Sequence, residues 1–210
     1  KRLGTDYLDF YMLHGLGKEQ NEKAEKLGGW DFVRSLKAKG VIRHYGFSFH
    51  DTPEVLDEIL IKHPDAEFVQ LQINYLDWDS DDVQSRKCFE TARRHKKPVI
   101  IMEPVKGGLL ASDDSPISKV LKAADPNASV ASWAVRYAAS LDGIITMLSG
   151  MNSMEQLEDN IKTVRNLKPL DAREMKAIDE AVAILKSTPR VPCTGCRYCV
   201  ENCPQKINIP

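Results

Sequence analysis

Short apolar segments alternate with longer amphipathic segments along most of the chain. Five of the short segments are rich in apolar or β-branched residues and are bounded by glycine, proline, aspartate or histidine, which is typical of buried strands. We predict strands at Tyr7–Leu13, Val41–Phe47, Glu67–Ile73, Val99–Met102 and Gly143–Leu148.

The longer segments carry apolar residues at spacings of three and four, which predicts helices. Gly40 is placed to end a helix, and Thr52 followed by Pro53 is placed to begin one. The charged stretch Lys18–Lys26 is predicted to be a solvated loop. The predicted helices are Trp30–Lys39, Pro53–Lys62, Asp81–Lys96, Ser129–Ser140, Ser153–Leu167 and Asp171–Lys186.

Alternating strands and helices indicate βαβ units and a parallel sheet, so the predicted fold class is α/β. The strand spacing is close to the roughly 31 residues per unit of an eight-unit barrel. Because no G-x-G-x-x-G turn follows an early strand, a barrel is favoured over a doubly wound nucleotide fold. We predict a partial (β/α)8 TIM barrel with about five of eight βα units. Its segments are barrel 1–170, C-terminal helix 171–187 and cysteine-rich tail 188–210.

The composition argues against several classes of function, among them nucleic-acid binding and membrane binding. The 210 residues carry 29 basic and 30 acidic side chains, and 42% are hydrophobic. This balance predicts a folded domain with no general affinity for nucleic acid or anionic membrane. The chain has neither a leader-like start nor an apolar run long enough to span a bilayer, so we expect a cytoplasmic protein.

Four of the five cysteines are clustered in the tail. Cys193, Cys196, Cys199 and Cys203 form a C-x2-C-x2-C-x3-C-P motif, the ligand spacing of bacterial ferredoxins, which predicts a 4Fe-4S cluster. Zinc and a disulfide are the alternatives. The fourth ligand is either Cys203 or a residue from elsewhere. Cys88, within a predicted helix, is interpreted as a half-buried thiol.

His14 follows the first predicted strand, on the face of a barrel where chemistry takes place. A neutral histidine there could donate a hydrogen bond to a substrate carbonyl, so His14 is the catalytic candidate. A structural histidine is the alternative.

The segments RLGTDYLDFYMLHG, GVIRHYGFSFH, FVQLQINYLD, KPVIIMEPVKGGLL and SGMNSMEQLEDNI resemble, in this order, the aldo/keto reductase family. The tail resembles the subgroup with a ferredoxin-type extension. The resemblance implies a (β/α)8 barrel and hydride transfer between a nicotinamide dinucleotide and a carbonyl or alcohol. Of the family's catalytic aspartate, tyrosine, lysine and histidine, only the histidine has a counterpart, His14. We therefore expect a chain truncated at its N-terminus and without normal catalysis.

The resemblance also implies a binding site for NADP or NAD. Ser48 and Gln70 match positions that hold the nicotinamide carboxamide, and Met102 replaces a ring that stacks on it. Where NADP enzymes place a cation, this chain has glycine and glutamine, so the preference between NAD and NADP stays open. The remaining cofactor-binding candidates, for the pyrophosphate and adenosine, are Gly107, Gly108, Gly150, Gln156 and Asn160.

The sequence therefore leaves three alternative functions: a carbonyl reductase with an iron–sulfur site, an electron-transfer module, or a nucleotide-binding relative without catalysis. The expected partners are a small carbonyl or alcohol substrate and a redox partner for the cluster. Since five βα units leave open sheet edges, association into a homo-oligomer is a further expectation.

Overall fold

The computed structural model describes residues 3–187, 200, 203–205 and 207. The chain divides into two compact units. The first, here called the sheet unit, comprises Lys1–Ile73, Asp77–Met102 and Asp142–Met147. The second, here called the helical unit, comprises Asn74–Leu76, Glu103–Leu141 and Leu148–Pro210.

A parallel sheet of five strands forms the sheet unit, with the strands side by side in chain order. Parallel strands buried on both faces are apolar almost throughout, as the fourth strand is. This sheet confirms the predicted α/β class and is consistent with a partial barrel. The strands are β1 Leu8–Leu16, β2 Ile42–Phe49, β3 Val69–Gln72, β4 Val99–Met102 and β5 Ile144–Met147.

Four helices belong to the described part of the sheet unit: α1 Lys18–Lys26, α2 Gly29–Ala38, α3 Pro53–Lys62 and α4 Ser85–Arg94. The third of them has the predicted ends, because the Thr52 hydroxyl accepts a hydrogen bond from Val55 N at 3.5 Å and proline occupies its first turn. Its apolar face, Leu56 and Leu60, is fully buried.

One residue of β2 has no room for a side chain. A Cβ on Gly46 would lie 2.2 Å from the backbone oxygen of Phe68. Glycine at this position therefore allows β2 to approach the chain that enters β3, and so sets the distance between the two strands that carry Ser48 and Gln70.

The helical unit contains α5 Ser118–Ala124, α6 Val130–Ala139, α7 Met154–Arg165 and α8 Ala172–Ser187, preceded by the 3₁₀ turn Lys106–Gly108. Its core surrounds Trp133, which is fully buried, with Leu121 and Ile178 from neighbouring helices. Burial of each such large side chain contributes about 1.5–3 kcal/mol. A two-bond ion pair from Arg136 to Glu174, at 2.7 and 2.8 Å, joins α6 to α8.

The structure corrects two expectations about secondary structure and adds one helix. Lys18–Lys26 is helix α1 and not a loop, because its lysine, glutamate, glutamine and alanine residues favour helix and Asn21 accepts a hydrogen bond from Trp30 Nε1 at 3.0 Å. The short helix α5 was not predicted. The helix expected from Asp81 begins at Ser85, whose hydroxyl donates to Gln72 O at 2.7 Å.

Within the part of the chain that the structure describes, no helix is both long enough and apolar enough to cross a membrane.

Candidate functional site

Ser48 and Gln70 lie beside each other near the carboxyl ends of β2 and β3. They are register partners across the two strands, and both side chains are buried. Because partners in a parallel pair point to the same face of the sheet, the hydroxyl and the amide share one face. The sheet register therefore brings together these two sequence-predicted residues.

The two polar atoms of the Gln70 amide differ in their hydrogen bonding. Its Nε2 donates to the sulfur of Met102 at 3.2 Å, whereas its buried Oε1 has no hydrogen-bond partner among the described residues. Leaving a buried acceptor unpaired costs about 1–3 kcal/mol. This oxygen is therefore suited to a donor supplied by a ligand.

Ser48 complements that acceptor. Its Oγ accepts a hydrogen bond from Gly15 N at 2.7 Å, and this bond leaves the hydroxyl hydrogen available to donate. A primary carboxamide, which has both N–H donors and an oxygen acceptor, matches the pair formed by Ser48 and Gln70. The residues present in the sheet unit thus fit the nicotinamide carboxamide.

His14 lies at an irregularity near the end of β1. The pairing with β2 is regular up to Leu13 and resumes at Leu16, and Gly15 in between has a φ of 66°. The His14 side chain is exposed, and the residue after it is the one that donates to Ser48. An irregularity of this kind turns a side chain away from the regular alternation of a strand.

A second amide that we had not singled out lies two residues beyond Gln70. Gln72 points to the same face of β3 as Gln70 and is the register partner of Met102. Its Nε2 donates to Asp77 Oδ2 at 2.8 Å. Gln72 is therefore a second candidate for contact with a ligand on this face.

In the helical unit, a pocket of about 580 Å³ collects the other predicted cofactor residues. Its volume falls within the range of about 300–1,000 Å³ that is usual for small-molecule sites. Residues far apart in the sequence line this one pocket, including all five candidates for the pyrophosphate and adenosine: Gly107, Gly108, Gly150, Gln156 and Asn160.

The two predicted amides hold the loop before α7. Gln156 Oε1 accepts a hydrogen bond from Asn152 N at 2.9 Å, and Asn160 Nδ2 donates to Ser149 Oγ at 3.0 Å. Ser153 caps the helix by accepting from Gln156 N at 3.3 Å. These side chains line the pocket and at the same time fix the shape of its wall.

The turn that carries Gly107 and Gly108 has an unusual backbone. Both glycines have positive φ, 61° and 95°, and so do the non-glycine residues Glu103 and Lys106, at 56° and 47°. Such conformations are costly outside glycine and cluster at functional sites. Asn74, fully buried and not predicted from the sequence, donates to Glu103 O at 3.0 Å and helps to hold this turn.

The pocket wall is acidic, a property that was not predicted from the sequence. Four carboxylates line it, and no lysine or arginine is among the described lining residues. Hydrogen bonds from its own backbone N–H and from the Ser153 hydroxyl lower the pKa of Glu155. The acidic side chains are Glu103, Asp113, Glu155 and Asp159.

A smaller pocket of about 150 Å³ in the sheet unit includes His50, Asp51 and Cys88. Burial, together with the charges of Glu54 and Asp51, raises the pKa of the Cys88 thiol to about 11. Cys88 is free and buried, and the described residues contain no group of three or more side chains suited to hold a metal. Cys88 is thus more deeply buried than the half-buried thiol that the sequence predicts.

Three of the tail cysteines, Cys193, Cys196 and Cys199, lie outside the described residues. Cys203 is described: it is free and partly buried, and its Sγ accepts a hydrogen bond from Ile207 N at 3.4 Å. The prediction of a cluster on these four residues stays a prediction.

Comparison with known proteins identifies relatives of the chain. Residues 1–183 match the family described as "Aldo/keto reductase family". The "Uncharacterized oxidoreductase YqkF" of Bacillus subtilis (strain 168) is 26% identical over 198 residues, which are 84% of this chain and 61% of the relative.

Among solved structures, the holo form of the aldo-keto reductase AKR11C1 from Bacillus halodurans is similar with a TM-score of 0.67 and 28% identity. The alignment covers 86% of this chain and 60% of that protein. An aldo/keto reductase from Brucella melitensis, 19% identical, shares the fold with a TM-score of 0.63 over 86% of this chain and 62% of its own. The chain thus spans about three fifths of the length of these relatives.

Proposed function

Because the chain belongs to the aldo/keto reductase family, we propose that it forms part of an oxidoreductase that transfers hydride between a nicotinamide dinucleotide and a small carbonyl or alcohol. The observation that carries this proposal is the pocket of about 580 Å³ lined by all five residues expected at the pyrophosphate and adenosine. A bound dinucleotide would supply the hydride. The residues of this chain would bind it, orient it and help to polarise the substrate.

The sheet unit would orient the nicotinamide. In this proposal the Gln70 Oε1 accepts from the carboxamide nitrogen and the Ser48 hydroxyl donates to the carboxamide oxygen. The Oε1 of Gln70 is buried and has no hydrogen-bond partner in the part of the chain that the structure describes, and this supports the assignment because a ligand donor would satisfy it.

Dinucleotide binding tests the assignment of Gln70. We expect Gln70→Leu to weaken NADH binding about tenfold, measured by calorimetric titration, because a hydrogen bond to a buried acceptor is lost. ADP-ribose, which has no nicotinamide, should bind the variant and the unchanged protein equally. The matched control is Gln72→Leu, on the same face of β3. A loss at Gln72 and none at Gln70 would move the assignment to Gln72.

His14 is proposed to donate a hydrogen bond to the substrate carbonyl. In the product of the whole reading frame that encodes this chain, His14→Ala should lower kcat for aldehyde reduction about a hundredfold or more and leave NADH binding unchanged. Oxidation of the reduced dinucleotide, followed at 340 nm, measures the rate. Unchanged turnover in the variant would contradict the catalytic role.

The cysteine tail supports a second proposal, a 4Fe-4S cluster held by Cys193, Cys196, Cys199 and Cys203. The motif spacing favours iron–sulfur over zinc, and the hydrogen bond from Ile207 N to Cys203 Sγ is of the kind that stabilises a thiolate ligand. Such a cluster would exchange electrons with a redox partner or would order the tail.

Metal analysis of anaerobically purified protein tests the cluster. We expect about four irons and four acid-labile sulfides per chain. Cys203→Ser should remove most of the iron, whereas Cys88→Ala, the control at the buried thiol, should retain it. Stoichiometric zinc without sulfide would contradict the proposal.

A further inference from the structure

The side chain of Met102 contacts the amide of Gln70 in the sheet unit. Gln70 pairs with Ile100 on the neighbouring strand, and Met102 lies two residues further along that strand. Because residues two apart on a strand point to the same face, Met102 lies diagonally across from Gln70 on the face that carries Ser48. Its sulfur accepts the hydrogen bond from Gln70 Nε2 at 3.2 Å.

This contact selects one of two orientations of the amide. A methionine sulfur can accept a hydrogen bond but has no hydrogen to donate. If the amide were rotated by half a turn, Oε1 would face the sulfur and two acceptors would meet. Met102 therefore favours the orientation in which Nε2 meets the sulfur. Oε1 is then left for a ligand, since it is buried and has no partner among the described residues.

The same orientation makes Gln70 complementary to Ser48. Ser48 Oγ already accepts a hydrogen bond from Gly15 N at 2.7 Å, so its hydroxyl hydrogen remains for a ligand. With Oε1 available, the two side chains offer one donor and one acceptor, whereas the rotated amide would offer two donors. One donor beside one acceptor suits a ligand group that has both an oxygen and an N–H, such as a primary carboxamide.

An apolar neighbour could not select this orientation. Ile100, the register partner of Gln70, is buried but has no polar atom in its side chain. We propose that Met102 is a positioning residue, which holds the Gln70 amide so that Oε1 accepts an N–H from the bound ligand. The sulfur would thus serve the site in place of the stacking ring expected at position 102. That the ligand is a nicotinamide carboxamide rests on the proposed function.

The test compares NADH with its 3-acetylpyridine analogue by calorimetric titration of the chain. The analogue has a methyl group in place of the carboxamide nitrogen, so it keeps the oxygen for Ser48 and loses the N–H for Gln70. We expect NADH to bind the unchanged chain about tenfold more tightly, because the analogue leaves a buried acceptor unpaired. The ratio of the two affinities therefore reports which end of the amide faces the ligand.

Met102→Leu removes the sulfur acceptor but nearly conserves the volume of the side chain, so the variant should fold. Its amide is free to rotate, and the ratio of affinities should fall to about threefold or less. In a chain that already carries Gln70→Leu, the same substitution should leave the ratio unchanged, because Met102 acts through that amide. Ile100→Val is the matched control on the same face of β4 and should keep the ratio of the unchanged chain.

The possible outcomes separate this inference from the proposed function. An unchanged ratio in Met102→Leu, including an equal loss of affinity for both dinucleotides, would overturn the positioning role and leave the proposed function standing. Equal binding of NADH and the analogue by the unchanged chain would also overturn it, because no N–H would then reach Gln70. Failure of both dinucleotides to bind would overturn the positioning role and the proposed function together.

Discussion

Individual polar side chains in this protein acquire their properties from one or two neighbours. Gln70 is the example at the proposed site, where the bond to Met102 fixes the amide and leaves Oε1 without a partner among the described residues. Asp65 is the example in the framework of the sheet unit. Arg34 donates to it at 2.6 and 3.0 Å, and so does the hydroxyl of the buried Tyr45.

These contacts make Asp65 a source of pH-dependent stability. The Arg34 guanidinium, followed by the Tyr45 hydroxyl, holds the pKa of Asp65 well below its ordinary value of 3.8. A lowered carboxyl pKa contributes stability that is fully present above the ordinary value and is lost as the pH falls toward the lowered one. Because the Asp65 side chain is 44% exposed and solvent screens its charge, Asp65→Asn should cost only about 1 kcal/mol at pH 7. The difference should shrink below about pH 4.

Urea denaturation at pH 7 and pH 3 measures this effect. The control is Asp31→Asn, because Asp31 bonds to the same guanidinium at 3.1 Å but its side chain is 86% exposed. We expect the control to change stability by no more than about 0.5 kcal/mol at either pH. A cost of Asp65→Asn that is equal at both pH values would contradict the account.

Only part of this residue-level detail could be predicted from the sequence. Ser48 and Gln70 were found only through the resemblance of GVIRHYGFSFH and FVQLQINYLD to the aldo/keto reductases. The cluster around Asp65 was not found, because its members are far apart in the chain and each is common on surfaces. The acidic wall of the pocket was missed for the same reason. Its four carboxylates come from separate segments of the chain, and only the fold brings them together.

At the scale of elements, helix caps connect the pocket wall to the stability of the helical unit. Ser129 caps α6 by accepting from Ser132 N at 3.0 Å, and its hydroxyl donates to Asp159 on α7. One hydroxyl thus caps the start of α6 and joins this helix to α7.

Ser129→Ala should destabilise the protein by about 1–2 kcal/mol, because it removes the cap and the partner of Asp159. Ser140→Ala, at the exposed opposite end of α6, should cost no more than about 0.5 kcal/mol. Urea denaturation measures both. Equal effects at the two ends would argue against a special role of Ser129.

The elements themselves were largely predictable, and the errors have physical causes. All five strands and helix α3 follow from apolar periodicity and clear caps. Helix α1 was missed because its pattern is almost wholly polar, so that only the propensity of its residues and the bond between Asn21 and Trp30 indicate a helix. Helix α5, seven residues long, is too short to show a period.

At the scale of the whole molecule, family membership accounts for the order of strands and helices. The chain, however, spans only 61% and 60% of the lengths of the two relatives compared. The activity of the whole protein is for that reason a proposal. The pocket of about 580 Å³ does not depend on the rest of the relatives' length, because all of its described lining residues belong to the helical unit.

The central claim is that this pocket binds the dinucleotide, and hydrogen exchange measured by mass spectrometry with and without saturating NADH tests it most directly. We predict slower exchange in segments 103–113 and 148–160, which form the pocket wall, and no change in helix α1 of the sheet unit. Unchanged exchange in both wall segments, at NADH concentrations that saturate any binding seen by calorimetry, would contradict the claim.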